Sequence, residues 1–87
     1  MSINKVLDER GSRYGSFDGN AHTVQACLDV LMAGDNAIAL KYYHKEAMHM
    51  IVHKLARIVN GDADYADSWV DIAGYAQLVV RHLDEHN

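Results

Sequence analysis

The chain has 87 residues, 49% of them apolar, with a formal net charge of −4, no Pro and a single Cys. That length is one domain, and the acidic balance excludes a protein that coats nucleic acid, although a local basic patch survives the objection. The lack of Pro favours continuous helices over a turn-rich β fold.

Cys27 has no partner within the chain, so no intrachain disulfide forms, which fits a reducing cytosol. No apolar run approaches the ~18–20 residues that cross a bilayer, and no signal-peptide pattern opens the sequence. The expected location is therefore the cytoplasm, with no membrane partner. A core of this size is marginal alone, so a homo-oligomer, first of all a dimer, is the expected working state.

In chain order, Ser2 is predicted to cap a first helix that carries Ile3, Val6 and Leu7 and stops by Gly11. RGSRYGSFDG follows, holding Arg10, Arg13, Tyr14, Phe17 and three Gly. It reads in two ways. Gly-rich backbone and two guanidinium groups suit a phosphate, with Tyr14 or Phe17 stacked on a base. The plainer reading is a joint between helices whose aromatics plug the core. Asp18 or Asn20 caps a second helix through Val24, Cys27, Leu28, Leu31 and Met32, and Gly34, Asp35 and Asn36 mark a stop and restart. A third helix is predicted from about Ala37 to Asn60, ended by Gly61, and a fourth from a cap at Asp62 or Asp64 to near His86. The fold class is all-α, a small antiparallel bundle of about four helices.

The two long helices are amphipathic. At ~100° per residue, Met48, Ile51, Val52, Leu55, Ile58 and Val59 form the apolar stripe of the third, and Glu46, His49, His53, Arg57 and Asn60 the polar one, with Lys54 on the flank. In the fourth, Trp69, Ile72, Ala73, Ala76, Val79, Val80 and Leu83 form the apolar side; Asp67, Asp71, Gly74 and Leu78 line the other. An i,i+4 pair of Asp suits a hard cation, because its oxygen ligands must converge from one direction. Asp67 also has the simpler role of stabilising a helix N-terminus. Gly74 inside a helix costs ~1 kcal/mol against Ala, which suggests close approach of a backbone or ligand.

Two site models follow. In one, Glu46, Asp67 and Asp71 hold Mg²⁺ while Arg10, Arg13, Lys54 and Arg57 hold the phosphates of a nucleotide and Tyr14 stacks on its base; Glu46 and Asp71 are then the catalytic acids. In the other, Glu46 and His49 form a Glu-x-x-His metal motif with His53 one turn on. The competing reading of both stripes is an ordinary solvated surface with exposed ion pairs.

HKLARIVNGDADYADSWVDIAGYAQLV, with Glu46 ahead of it and RGSRYGSF near the start, resembles a family of small phage and prophage proteins with a His-Lys-x-Ala-Arg-Ile, Asn-Gly-Asp and Asp-x-Trp-x-Asp-Ile-Ala-Gly-Tyr signature. The chain is also distantly similar to the all-α nucleoside triphosphate pyrophosphohydrolases of the MazG type, which bind Mg²⁺ through acids on two adjacent helices. That resemblance implies Glu46 in the first acidic motif and Asp71, with Asp67, in the second. Lys45 and Met50 stand where neighbouring acids are expected, and the second pair is spaced by four instead of three.

Three functions compete at this stage. The leading one is a phage-encoded nucleotide-handling protein, in its fullest form a Mg²⁺-dependent pyrophosphohydrolase. The second is a non-catalytic phage protein that sequesters a nucleotide signal or blocks a host defence protein. The third is a helical interaction module with no ligand.

Overall fold

Short capping segments divide the chain into four helices. The computed structural model describes residues 2–86: α1 (Ile3–Tyr14), α2 (Phe17–Met32), α3 (Tyr42–Asn60) and α4 (Ala66–His86), with a single 3₁₀ turn at Ala37–Ala39. The fold is an all-α bundle, and among the described residues no helix is long and apolar enough to cross a membrane.

Ser2 starts α1 as expected, its hydroxyl accepting the Lys5 N–H at 3.2 Å. The helix runs through Gly11, where a Cβ would meet nothing within 4 Å, and ends at Tyr14. Gly15 (φ 85°, ψ −178°) reverses the chain in a backbone region that only Gly adopts readily. Ser16, not Asp18 or Asn20, caps α2, accepting the Gly19 N–H at 3.0 Å. The predicted Gly-rich loop is thus a two-residue joint between helices. The third helix also starts later than expected. Leu40 and Lys41 are extended after the 3₁₀ turn, and the Lys41 N–H donates to His44 Nδ1 at 3.0 Å to open α3.

The axis of the molecule is α3. On it pack α4 along its length and α2 on another side, while α1 touches it near one end. Val24 of α2 meets Val52 and Ala56 of α3 in the one tight apolar cluster, with Cys27 and Leu28 beside it. Tyr43 at the start of α3 lies 4.1 Å, ring centre to ring centre, from His82 near the end of α4.

The core is small. Buried apolar side chains among the described residues are Val24, Ala47, Val52, Ala56 and Ile58. Only one edge of the apolar side of α4 faces inward: Ile72 and Val79 are half-buried, in one sector with buried Ser68 and half-buried Tyr75 and His82, while Trp69, Ala73, Ala76, Val80 and Leu83 are exposed. Leu55 and Val59 of α3 are exposed too. The radius of gyration is 15.0 Å, against ~12 Å for a globular domain of this length.

Candidate functional site

The junction of α1, α2 and the C-terminal half of α3 is held by interlocking backbone. Gly15 lies so close to Asn60, and Gly61 so close to Arg13 and Tyr14, that a Cβ on either would overlap the facing main chain. Three of the last four carbonyls of α1 find partners there. That of Gly11 accepts from Gly15 N–H at 2.9 Å and that of Arg13 from Asp62 N–H at 2.7 Å. The Tyr14 carbonyl accepts from Asn20 Nδ2 at 2.7 Å. Asn60 completes the clasp, its amide donating to Asn20 Oδ1 at 3.1 Å and Thr23 Oγ1 at 3.0 Å. The Asn-Gly-Asp triplet therefore serves as the keeper of α1.

Rings and guanidinium groups stack over the same junction. The Arg57 guanidinium sits 4.3 Å from the centre of the Tyr14 ring. Tyr14 meets Tyr65 edge to face at 5.8 Å, and Arg13 covers Tyr65 at 4.7 Å. Asp67 lies at the Tyr65 hydroxyl and, by hydrogen bonding to it, raises its pKa. Each such stack is worth on the order of 1 kcal/mol.

Beneath these contacts a cleft of about 360 Å³ opens between the α1–α2 joint and α3. Arg10, Tyr14, His53 and Arg57 line it, together with Leu7, Asn20 and the first residues of α2, Ser16 and Phe17. No carboxylate lines it. Among the described residues Arg10 makes no ion pair, and Phe17 at the joint is 90% exposed. The first turn of α2 adds the positive end of a helix dipole and backbone N–H groups without intrahelical acceptors. Burial holds the His53 pKa below its ordinary value, and the positive charges of Arg57, Lys54 and His49 lower it further. His53, Arg10 and Arg57 thus line one cleft with no acid among them.

The structure thus brings Arg10, Tyr14 and Arg57 together, as predicted for a phosphate site, and adds His53. Arg13 is drawn away to Tyr65, and Lys54 pairs with Asp71 at 3.1 Å on the α4 side of α3. Predicted metal ligands fare differently. Glu46 is exposed on α3, Asp67 is at Tyr65 and Asp71 at Lys54. Among the described residues no three His, Cys, Asp or Glu side chains are grouped as a metal-binding cluster, so the structure does not bring Glu46, Asp67 and Asp71, or Glu46, His49 and His53, together. Gly74 has open space at its Cβ position, so no close approach within the chain accounts for it. Asn20, Thr23, Tyr65 and the roles of Asn60 and Gly61 were not evident from the sequence; the Asn-Gly step after a helix was their one signal.

The molecule is a small all-α protein with a cationic cleft at an interhelical joint. Residues 2–82 match the family described as a domain of unknown function, DUF6378, and the chain belongs to that family. No curated protein and no solved structure shows a significant match to it.

Proposed function

We infer that the protein binds a phosphate-bearing small molecule, a nucleotide first of all, in the cleft formed by Arg10, Tyr14, His53 and Arg57. One observation carries this reading: in a chain of net charge −4, every ionisable lining group except the Tyr14 phenol is basic, and none is acidic. Such segregation against the overall charge raises the local concentration of anions. Arg10 and Arg57 supply planar donors that match phosphate oxygens, and the bare Phe17 ring offers a face for a base. A cleft of this volume lies within the size range of small-molecule sites.

Binding without hydrolysis is the better supported form. A Mg²⁺-dependent pyrophosphohydrolase needs carboxylates gathered on the metal, whereas Asp71 pairs with Lys54, Asp67 acts on Tyr65 and Glu46 is exposed on α3. Sequestration of a nucleotide signal, in the cytoplasm of an infected or lysogenic bacterium, agrees with the resemblance to phage proteins. A blocked host protein is the alternative partner, and the exposed apolar side chains favour it.

A thermal-shift series with ATP, pyrophosphate and linear and cyclic dinucleotides, each with Mg²⁺ and with EDTA, tests the reading. At least one nucleotide should raise Tm equally in both conditions, and Arg10→Gln should diminish the shift. Product analysis should then find the nucleotide intact. If millimolar nucleotide and pyrophosphate leave Tm unmoved, the cleft is not a phosphate site.

A further inference from the structure

One wall of the cleft is fastened at one end only. Among the described residues, the hydrogen bonds and stacks that tie α1 to the rest of the molecule all lie after Gly11. The Arg13 carbonyl accepts from Asp62 N–H, the Tyr14 carbonyl accepts from Asn20 Nδ2, and both side chains stack on Tyr65. Before that point the hydrogen bonds stay within the helix and its cap: Lys5 and Val6 N–H donate to Ser2, and the Glu9 carbonyl accepts from the Ser12 hydroxyl. No residue of α1 is buried, and Ile3 and Leu7 are 74% and 56% exposed. Gly11 lies inside the helix with open space at its Cβ position, so packing does not require it. A Gly in that place loosens the turn that holds it.

Charge acts on the same segment. Arg10 lines the cleft from α1 and Arg57 lines it from α3, and no carboxylate is among the lining residues. A volume of about 360 Å³ is on the order of 7 Å across, inside the ~10 Å Debye length at 0.1 M salt. The two guanidinium groups therefore repel, and an anion between them turns the repulsion into attraction. We propose that residues 3–10 form a lid hinged at Gly11. They rest loosely over the cleft in the free protein and close when a phosphate-bearing ligand bridges Arg10 and Arg57.

The proposal rests on the phosphate reading of the cleft and adds that binding itself completes one wall. Leu7, about one helical turn before Arg10, also lines the cleft. Closure thus carries an apolar cover onto the ligand and sheds water from the contacts between guanidinium and phosphate. Ordering a loose segment lowers affinity, and it makes the closed state depend on the ligand. The two walls also define the ligand chemistry. A phosphate ester or a pyrophosphate has anionic oxygens pointing in several directions and reaches both guanidinium groups at once.

Hydrogen exchange at single-amide resolution, in EDTA with and without saturating pyrophosphate or ATP, tests the lid. Calorimetry under the same conditions reports binding itself. In the free protein the amides of residues 7–10 should exchange at least about 10-fold faster than those of residues 13–15, which places the hinge at Gly11. Either anion should slow residues 7–10 by about 10-fold or more and leave residues 76–83 of α4 unchanged. Gln has nearly the helix propensity of Arg, so Arg10→Gln isolates the charge. Without ligand, its residues 7–10 should exchange more slowly than in the wild type, because the repulsion is gone; with ligand they should gain little. A turn that is loose for want of packing alone would exchange alike in both proteins, and that result overturns the lid. So does binding by calorimetry that leaves residues 7–10 as fast as before, an outcome under which the phosphate reading stands. If neither anion binds, that reading falls and the lid falls with it.

Discussion

At its C-terminal half, α3 is gripped on one flank and bare on the other. His53, Arg57 and Asn60 face the α1–α2 joint, where two glycine backbones, three amide hydrogen bonds from side chains and a stack of Arg and Tyr close the chain on itself. Leu55 and Val59, roughly opposite on the helix wheel, meet solvent, and the apolar side of α4 does the same. The polar flank is the finished one and the apolar flank is not. The chain closes this polar flank with its own residues and leaves Leu55 and Val59 exposed.

The strongest way to break the gripped flank is Gly15→Ala. Its φ of 85° with ψ near 180° disfavours any side chain, and the new Cβ would overlap the Asn60 backbone. Strain and overpacking together should cost on the order of 3 kcal/mol. In a domain of this size that lowers Tm by ~10–20 °C, read by circular dichroism at fixed protein concentration. An unchanged melt would mean that α1 is not locked to α3.

Next comes the ligand. Arg57→Ala removes a charged donor from the cleft and the cover from Tyr14. Charge-assisted hydrogen bonds of this kind contribute ~1.5–3 kcal/mol, so pyrophosphate or the best nucleotide should bind about 10- to 100-fold more weakly by calorimetry. Arg57→Lys keeps the charge but loses the planar fork, and recovery of only part of the affinity is expected. Full affinity in Arg57→Ala would place the ligand elsewhere.

This division also explains what was legible from the chain. Helix number, the C-terminal ends of α3 and α4 and the polar stripe of α3 followed from periodicity and stop signals, because they depend on neighbours three or four residues apart; the starts did not, since α3 opens at Tyr42 and not Ala37, and α4 at Ala66, past both Asp62 and Asp64. Arg10, Tyr14 and Arg57 were recognisable by residue type. The apolar stripe of α4 overlaps its inward side only at Ile72 and Val79, since periodicity finds an apolar stripe without saying what covers it. Ser68, Tyr75 and His82 face α3 despite their polarity. The Gly15–Asn60 and Gly61–Arg13 contacts join residues some 45 positions apart, beyond the reach of any local pattern. The countercharge of Asp71 is Lys54 one helix away, a contact between helices that no single-helix pattern specifies.

A smaller effect separates the two flanks of function. Asp71→Asn breaks an ion pair whose carboxylate is 46% exposed, worth below ~1 kcal/mol in such a setting. It lies away from the cleft, so nucleotide affinity should be unchanged in the presence or absence of Mg²⁺. Should binding or turnover collapse instead, the acids of α4 belong to the site and the hydrolase reading overtakes simple binding.

The smallest effect is the most specific to the cleft. His53 has its pKa lowered in the folded chain by burial and by Arg57, Lys54 and His49. The unfolded chain therefore holds more protons between that lowered value and the ordinary ~6.5, and stability should rise with pH across that window. His53→Gln removes this contribution, so the difference in stability between wild type and variant should shrink or reverse below pH 6. A bound anion works in the opposite sense, since it favours imidazolium and takes up a proton on binding. Sulfate keeps its charge throughout this range, which makes it the clean probe: its affinity for the wild type should increase as pH falls from 7 toward 5.5, and the increase should be smaller in His53→Gln. Identical pH slopes in the two proteins would remove His53 from the site while leaving Arg10 and Arg57 in place.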